Sequence, residues 1–365
     1  MKRLFPAILL IAASVSCSRS LPVLNPGNWN DDVYSKISNV IAQEGKASKA
    51  YNPECKPYAV FDFDNTSIIN DCEISLMHYM IDNMSFKIQP EDMFTTITSC
   101  IPDIDKPVLG DCTVRMLAED ITDDYSALYG KPLEDITGLD AYKDLRAKLS
   151  ALYFVTEDCY DYQVCCEWIL TLFEGMETTE ISDLAKASFD YYSSMPGVSS
   201  VTWTSPESGK AGTISATHLE GIHATDEMKD LYSTLKANGF DVYICSASLE
   251  AVVEAIACSE DSGFDMDPEF VYGLRPSEES YIQTYKSGKT GAIKAYMAPE
   301  HGGRGPSIVG GDSNGDYNML TDFDDMGVGL IINCGNGGGI GRLAASGDPK
   351  YAVQGRDLES GTFVK

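Results

Sequence analysis

Tyr58-Ala59-Val60-Phe61-Asp62-Phe63-Asp64-Asn65-Thr66 is the stretch on which the reading of this chain turns. Its four apolar residues are bounded upstream by Pro57 and downstream by Asp62. They have the length and composition of a buried strand that delivers its carboxyl end to a site. The two carboxylates that follow project from one turn. Held close together they tend to have their pKa values pushed apart, so that one can be ionised and attack while its neighbour carries a transferable proton. An Asp-x-Asp by itself is more often a solvated strand end, so its meaning depends on the rest of the chain.

Downstream of about residue 225 the sequence alternates regularly. Met228, Leu231, Tyr232 and Leu235 share a helical face that Asn238-Gly239 stops. Strands are expected at 241–245, 269–274, 307–309 and, as the last, 328–332. Helices marked by Val252, Val253 and Ile256, and by Ala292, Ile293, Tyr296 and Met297, separate them. Upstream, Val33, Ile37, Val40 and Ile41 predict a helix after a linker over 21–30. Strands separated by helices imply an α/β fold with a Rossmann-like parallel sheet, whose ligands sit beyond the carboxyl ends of the strands. The strand before Asp62 joins that sheet only if residues 68–224, rich in helical stretches with a hairpin expected at 198–204 and 213–217, are an insertion.

Three further patterns fall where such a sheet would present them. Ser246-Ala247-Ser248 follows the 241–245 strand, and a hydroxyl or amide there can hold a phosphate oxygen. Lys286-Ser287-Gly288-Lys289-Thr290 opens a helix and offers an ammonium against an attacking carboxylate. Gly310-Gly311-Asp312-Ser313-Asn314-Gly315-Asp316 follows the 307–309 strand, and two carboxylates in a glycine-rich turn suit a hard cation with oxygen ligands. Each pattern alone is weak; their order and placement are specific.

Together they resemble the haloacid-dehalogenase superfamily, whose signature is Asp-x-Asp-x-Thr, a Ser or Thr at a strand end, a lysine, and Gly-Asp-x-x-x-Asp. The resemblance implies a catalytic core over 18–67 and 225–365, with a mainly helical cap over 68–224 like that of the phosphoserine-phosphatase branch. It implies Asp62 as nucleophile and Asp64 as general acid and then base. It also implies Lys289, or alternatively Lys286, as the neutralising cation. Thr66, Ser246 and Ala247 would contribute to substrate binding, and Mg²⁺ would be held by Asp62, Asp64 (through its main chain), Asp312 and Asp316. The implied activity is Mg²⁺-dependent phosphomonoester hydrolysis through an aspartyl phosphate. An acid at Asp64 disfavours carbon–halogen chemistry. Phosphotransfer by the same fold, or non-catalytic capture of a choline-like ligand, are the competing expectations.

The insertion also carries Tyr153, Tyr160, Tyr162, Trp168, Tyr191, Tyr192 and Trp203 with acids nearby, a composition suited to a quaternary ammonium. Trp29-Asn30 and Gly355-Arg356-Asp357 extend the resemblance towards a branch acting on phosphorylated choline. The glycine-rich 335–341 segment lacks the spacing of a dinucleotide loop and reads as a flexible loop.

A net charge of −28, from 55 acidic and 27 basic side chains, repels nucleic acid and anionic lipid. The partner expected is therefore a small phosphate ester, bound where local cations reverse that field. Met1-Lys2-Arg3 and the apolar run to Val15 form an export signal too short to span a bilayer. Ser14-Val15-Ser16-Cys17 resembles a lipoprotein box, so residues 1–17 read as a signal peptide. Its product is periplasmic, or anchored at the envelope through a lipidated Cys17. The ten remaining cysteines predict disulfides rather than a metal cluster, since Cys-x-x-Cys spacing is missing.

Overall fold

The computed structural model describes residues 21–206 and 209–365. The expected export signal and Cys17 lie outside them, as do Glu207 and Ser208. The strands of the main sheet are β1 (Tyr58–Phe61), β2 (Asp241–Leu249), β3 (Val271–Leu274), β4 (Ile308–Gly311), β5 (Val328–Asn333), β6 (Tyr351–Asp357) and β7 (Thr362–Val364). They lie in the order β7-β6-β5-β4-β1-β2-β3. Every neighbouring pair is parallel except β6 with β7. β1 is central and wholly buried, with Phe61 opposite Gly310 on one side and Ile244 on the other. The chain builds outward from β1 through β2 and β3, then returns to continue from β4. The carboxyl end of β1 is thus a topological switch point, where ligands bind in open α/β sheets.

The helix Asp31–Glu44 buries Val33, Ile37, Val40 and Ile41. The helix Asp226–Ala237 buries Met228, Leu231, Tyr232 and Leu235, and ends where Gly239 takes a φ of +85°. The helix Ser287–Ala292 runs into a π turn over Ile293–Met297.

The insertion starts and ends at a short antiparallel pair, Ile68–Ile69 with His223–Ala224. Between them lie the helices Cys72–Asn83, Val114–Leu128, Asp140–Cys159, Tyr162–Thr171 and Thr178–Ser193, and a hairpin of Ser199–Thr204 with Ser215–Glu220. Its core includes a fully buried ion cluster, in which Lys148 reaches Asp120 at 2.7 Å and Asp144 at 2.5 Å.

The fold corrects four expectations. The strand at 328–332 is not the last, because β6 and β7 extend the sheet. β6 escapes an apolar-run reading because it carries the buried polar residue Gln354, whose amide is satisfied by Asn28, Asn30 and Val364. The 21–30 segment is not a loose linker. Trp29 is buried with its ring 5.1 Å from that of Phe363, and Asn30 donates to the Val353 carbonyl while capping the first helix. β2 runs on to Leu249 through an irregularity between Cys245 and Leu249, so Ser246 to Ser248 lie inside the strand. Finally, all ten described cysteines are free. Cys72, Cys112, Cys165, Cys166 and Cys245 are buried and behave as small apolar side chains.

Because Trp29 seals the β6–β7 edge, Trp29→Ala should cost about 3–5 kcal/mol, as for other buried aromatics. Urea unfolding of the variant and the parent measures this, and an unchanged midpoint would contradict the docking.

Candidate active site

The residues that follow β1 fold back on themselves. Asn65 and Asn70 both take left-handed φ, +58° and +75°, which asparagine tolerates better than most residues. The amide of Asn65 donates to the Asn70 carbonyl, and those of Ser67 and Ile68 both donate to Phe63. This tight turn aims Asp62 and Asp64 into a cavity of about 410 Å³. The turn after β4 needs glycine for a different reason, since a Cβ on Gly311 would lie 2.4 Å from that of Asp316.

Four separate segments meet at this cavity. Lys289 is buried with its ammonium 2.7 Å from Asp62 Oδ1 and 2.6 Å from Asp316 Oδ1. Asp62 Oδ1 also accepts from the Phe63 amide at 2.8 Å. Asp316 Oδ2 accepts from the amides of Asp312 and Ser313, each at 3.0 Å, and from the Ser313 hydroxyl. Asp316 is therefore a bracket for the loop and the lysine, with its oxygens already occupied. Ser246 and Ala247 line the cavity as expected. Thr66 does not. Its hydroxyl turns to Asp312 Oδ1 at 3.3 Å, so it supports that carboxylate instead of a substrate. Lys286 lines the cavity too, but its ammonium lies over the Tyr162 ring at 5.1 Å and Lys289 makes the contacts to Asp62 and Asp316.

Asp62, Asp312 and Asp316 offer carboxylate oxygens all within 4.8 Å of one another. Three buried acids against one ammonium leave negative charge uncompensated. Burial and the neighbouring Asp316 accordingly push Asp62 well above the usual carboxylate range, against the pull of Lys289. The same two causes push Asp312 up to about 7. Burial opposes charge on Lys289, yet Asp316 and Asp62 outweigh it and hold its pKa above the ordinary lysine value. An oxygen-rich, electron-rich pocket of this kind fits a hard divalent cation such as Mg²⁺, with Asp62 and Asp312 as the available carboxylates. The Asp64 carboxylate is outside that cluster. Its Oδ1 accepts from the Cys72 amide and its Oδ2 from the Ser248 hydroxyl, both at 2.7 Å.

Several contributors carried no clear signal in the sequence. Ser248 shares its small-residue stretch with Ser246, and only the strand irregularity separates their roles. Asp71, Glu73 and Glu157 line the cavity from the insertion, and Tyr153 and Tyr162 join them. The other aromatics expected there are elsewhere. Trp168 and Tyr192 are buried cap core, Tyr160 stacks beneath Lys106, Tyr191 is exposed, and Trp203 packs on His218 and Arg146. The 335–341 segment is not a free loop. Asn336 lines the cavity and donates to the Asp312 carbonyl at 3.1 Å, and Gly338–Ala344 is a short helix. Arg356 of β6 donates to Asn65 Oδ1 at 2.5 Å, which ties the Gly355-Arg356-Asp357 sequence to the catalytic turn.

No protein-family model matches the chain. A structure of a conserved protein of unknown function from Anaerococcus prevotii shares 33% identity and superposes with a TM-score of 0.84, covering 92% of this chain and 95% of that one. A phosphorylcholine phosphatase from Pseudomonas aeruginosa is 26% identical over 217 residues, which is 60% of this chain. The match spans about half the length of that relative, 48%. A phosphoserine phosphohydrolase-like protein from Francisella tularensis is a distant likeness only, at 13% identity and a TM-score of 0.30 over 80% of this chain and 99% of that one.

This chain belongs to the haloacid-dehalogenase superfamily.

In haloacid-dehalogenase terms, the four signature segments stand at the carboxyl ends of β1, β2 and β4 and at the helix before β4. The insertion occupies the cap position after the first of them.

If Asp62 and Asp312 hold the cation, millimolar Mg²⁺ should raise the melting temperature of the wild type, because a ligand that binds only the folded state stabilises it. The Asp312→Asn variant should lose most of that rise. Equal Mg²⁺ shifts in both proteins would remove Asp312 from the site.

Proposed function

We propose that the protein is an exported, Mg²⁺-dependent phosphomonoesterase that hydrolyses a small phosphate ester with a cationic leaving group, phosphorylcholine being the leading candidate. The observation that carries the chemistry is the buried contact of Lys289 with Asp62 beside Asp312. It puts one fixed ammonium beside the attacking carboxylate in a protein whose overall charge would repel a phosphate. A bound divalent cation would add to this by neutralising phosphoryl oxygens.

Asp62 attacks phosphorus in line, and the bond from phosphorus to the ester oxygen breaks as Asp64 gives that oxygen its proton. The leaving alcohol departs and an aspartyl phosphate remains on Asp62. Asp64, now ionised, takes a proton from the water that attacks the phosphoaspartate, which releases inorganic phosphate and restores both carboxyls. Lys289 holds its charge against the phosphoryl group throughout, and Ser246 is placed to hold a phosphate oxygen. Burial raises the Asp64 pKa, the direction a general acid requires, while Cys72 and Ser248 restrain the rise.

The leaving-group side of the cavity supports the substrate class. Among the described residues the cap contributes to the wall Tyr153 and Tyr162 and the carboxyls of Asp71, Glu73 and Glu157, but no lysine or arginine. Aromatic faces and carboxylates together select an ammonium group. The similarity to a phosphorylcholine phosphatase supports the same reading. The N-terminal signal supports export.

Hydrolysis of p-nitrophenyl phosphate in Mg²⁺ is the direct test of the chemistry, and Asp62→Asn should lower turnover on the order of a thousandfold or more. Wild-type turnover in that variant would exclude Asp62 as nucleophile. Burial holds the Glu73 carboxyl up at about 8. Its ionised form, which attracts a cation, therefore grows as pH rises towards that value. The kcat/KM for phosphorylcholine should climb between pH 6 and 8 more steeply than for a neutral alkyl phosphate. Glu73→Gln should flatten that difference and raise KM for phosphorylcholine about tenfold, equivalent to roughly 1.4 kcal/mol. Identical pH profiles for the two esters would argue against a carboxylate as the ammonium receptor.

A further inference from the structure

We propose that Ser248 is a positioning residue for the general acid: its hydroxyl fixes the Asp64 carboxyl so that the transferable proton faces the leaving oxygen. This rests on the phosphatase reading above and assigns a role that the four-segment signature leaves open.

The irregularity in β2 between Cys245 and Leu249 is what makes the residue available. Ordinary strand alternation sends Ser246 and Ser248 to the same face, two residues apart. Here the segment is re-aimed by a set of cross-links. The Ser248 amide donates to Ser246 Oγ at 3.1 Å, and the Thr284 hydroxyl donates to the Ser246 carbonyl at 2.5 Å. The Leu249 amide donates to Glu73 Oε1 at 2.8 Å. These bonds hold the buried Ser248 side chain against Asp64, where its hydroxyl donates to Oδ2 at 2.7 Å. The other oxygen, Oδ1, accepts from the Cys72 amide at 2.7 Å.

A carboxyl gripped at both oxygens cannot rotate about its Cβ–Cγ bond. One lone pair on each oxygen is taken, so the proton must occupy a remaining position, and Asp64 lines the cavity. One donor comes from the core strand and the other from the first turn of the cap helix Cys72–Asn83, so the orientation of Asp64 reports on both halves of the protein. Loss of the Ser248 hydroxyl leaves the carboxyl held at one oxygen only, free to turn its proton away from the ester.

The consequence is specific to proton donation. During the first half-reaction the phosphorus–oxygen bond breaks while Asp64 protonates the departing oxygen. A leaving group that is stable as an anion needs little of this help. Phenyl phosphate and p-nitrophenyl phosphate are nearly the same shape, but phenolate has a conjugate acid pKa of about 10, as in tyrosine, and the nitro group lowers it substantially. kcat/KM covers only steps up to release of the phenol, so hydrolysis of the aspartyl phosphate does not enter the comparison.

The experiment measures kcat/KM for both esters in Mg²⁺ with the wild type, Ser248→Ala and Ser248→Thr, alongside their melting temperatures. Ser248→Ala should lose about ten- to a hundredfold on phenyl phosphate, a part of the general-acid contribution, and no more than a few-fold on p-nitrophenyl phosphate. Ser248→Thr, which keeps a hydroxyl, should recover most of the loss. Equal losses on both esters, or no loss on either, would overturn the positioning role while leaving the phosphatase reading intact. Wild-type protein inactive on both esters would overturn both. If Ser248→Ala melts far below the parent, the same comparison is made with Ser248→Cys, close in volume but a far weaker donor: a loss concentrated on phenyl phosphate sustains the role. A uniform loss in that variant overturns it.

Discussion

The buried contact of Lys289 with Asp62 and Asp316 is the interaction that organises this protein. It joins the ends of β1 and β4 to the helix between β3 and β4, three segments far apart in sequence. Burying an ammonium and three carboxylates costs several kcal/mol per ion, offset only when geometry and further hydrogen bonds are good. Asp316 meets that condition, because main-chain amides and the Ser313 hydroxyl occupy the oxygen that Lys289 leaves. Asp62 and Asp312 remain only partly compensated. That imbalance makes a divalent cation a suitable occupant of the cavity.

Glycine enters the same constraint at one point. A Cβ on Gly288 would fall 1.9 Å from the Gln283 carbonyl oxygen, so the residue before Lys289 has to be small for the helix to start where the ammonium can reach Asp62. The left-handed φ of Lys286, +49°, marks the same sharp entry into that helix.

A second junction forms where β2 departs from regular pairing. Asp64 and Glu73 are bound to adjacent residues there, Ser248 and Leu249, and the first turn of the cap helix closes the circle through the Cys72 amide. Core and cap are thus bonded at Asp64 itself. The cavity is divided accordingly: the core lines it with Lys286, Lys289, Asp62 and Asp312, whereas the cap lines it with Tyr153, Tyr162 and the carboxyls of Asp71, Glu73 and Glu157. The large negative net charge, awkward for binding an anion, is consistent with a substrate that also carries a positive group.

The sequence by itself determined the central strand, the turns that follow it, the alternation that makes a parallel sheet, and the segments that converge on Asp62. Short apolar runs and turn residues act over a few positions, so they can be read without knowing what lies across the molecule. Tertiary structure decided that Lys289, and not Lys286, reaches the carboxylates, that Thr66 serves Asp312, and that only Tyr153 and Tyr162 of the cap aromatics reach the cavity. It also revealed β6 and β7, the free thiols, and the work of Ser248, Glu73, Asn336 and Arg356. Most of the side-chain roles depend on a partner dozens to hundreds of positions away. A polar side chain's role is set by which group satisfies it once buried, and that pairing exists only after the sheet has brought the distant segments together.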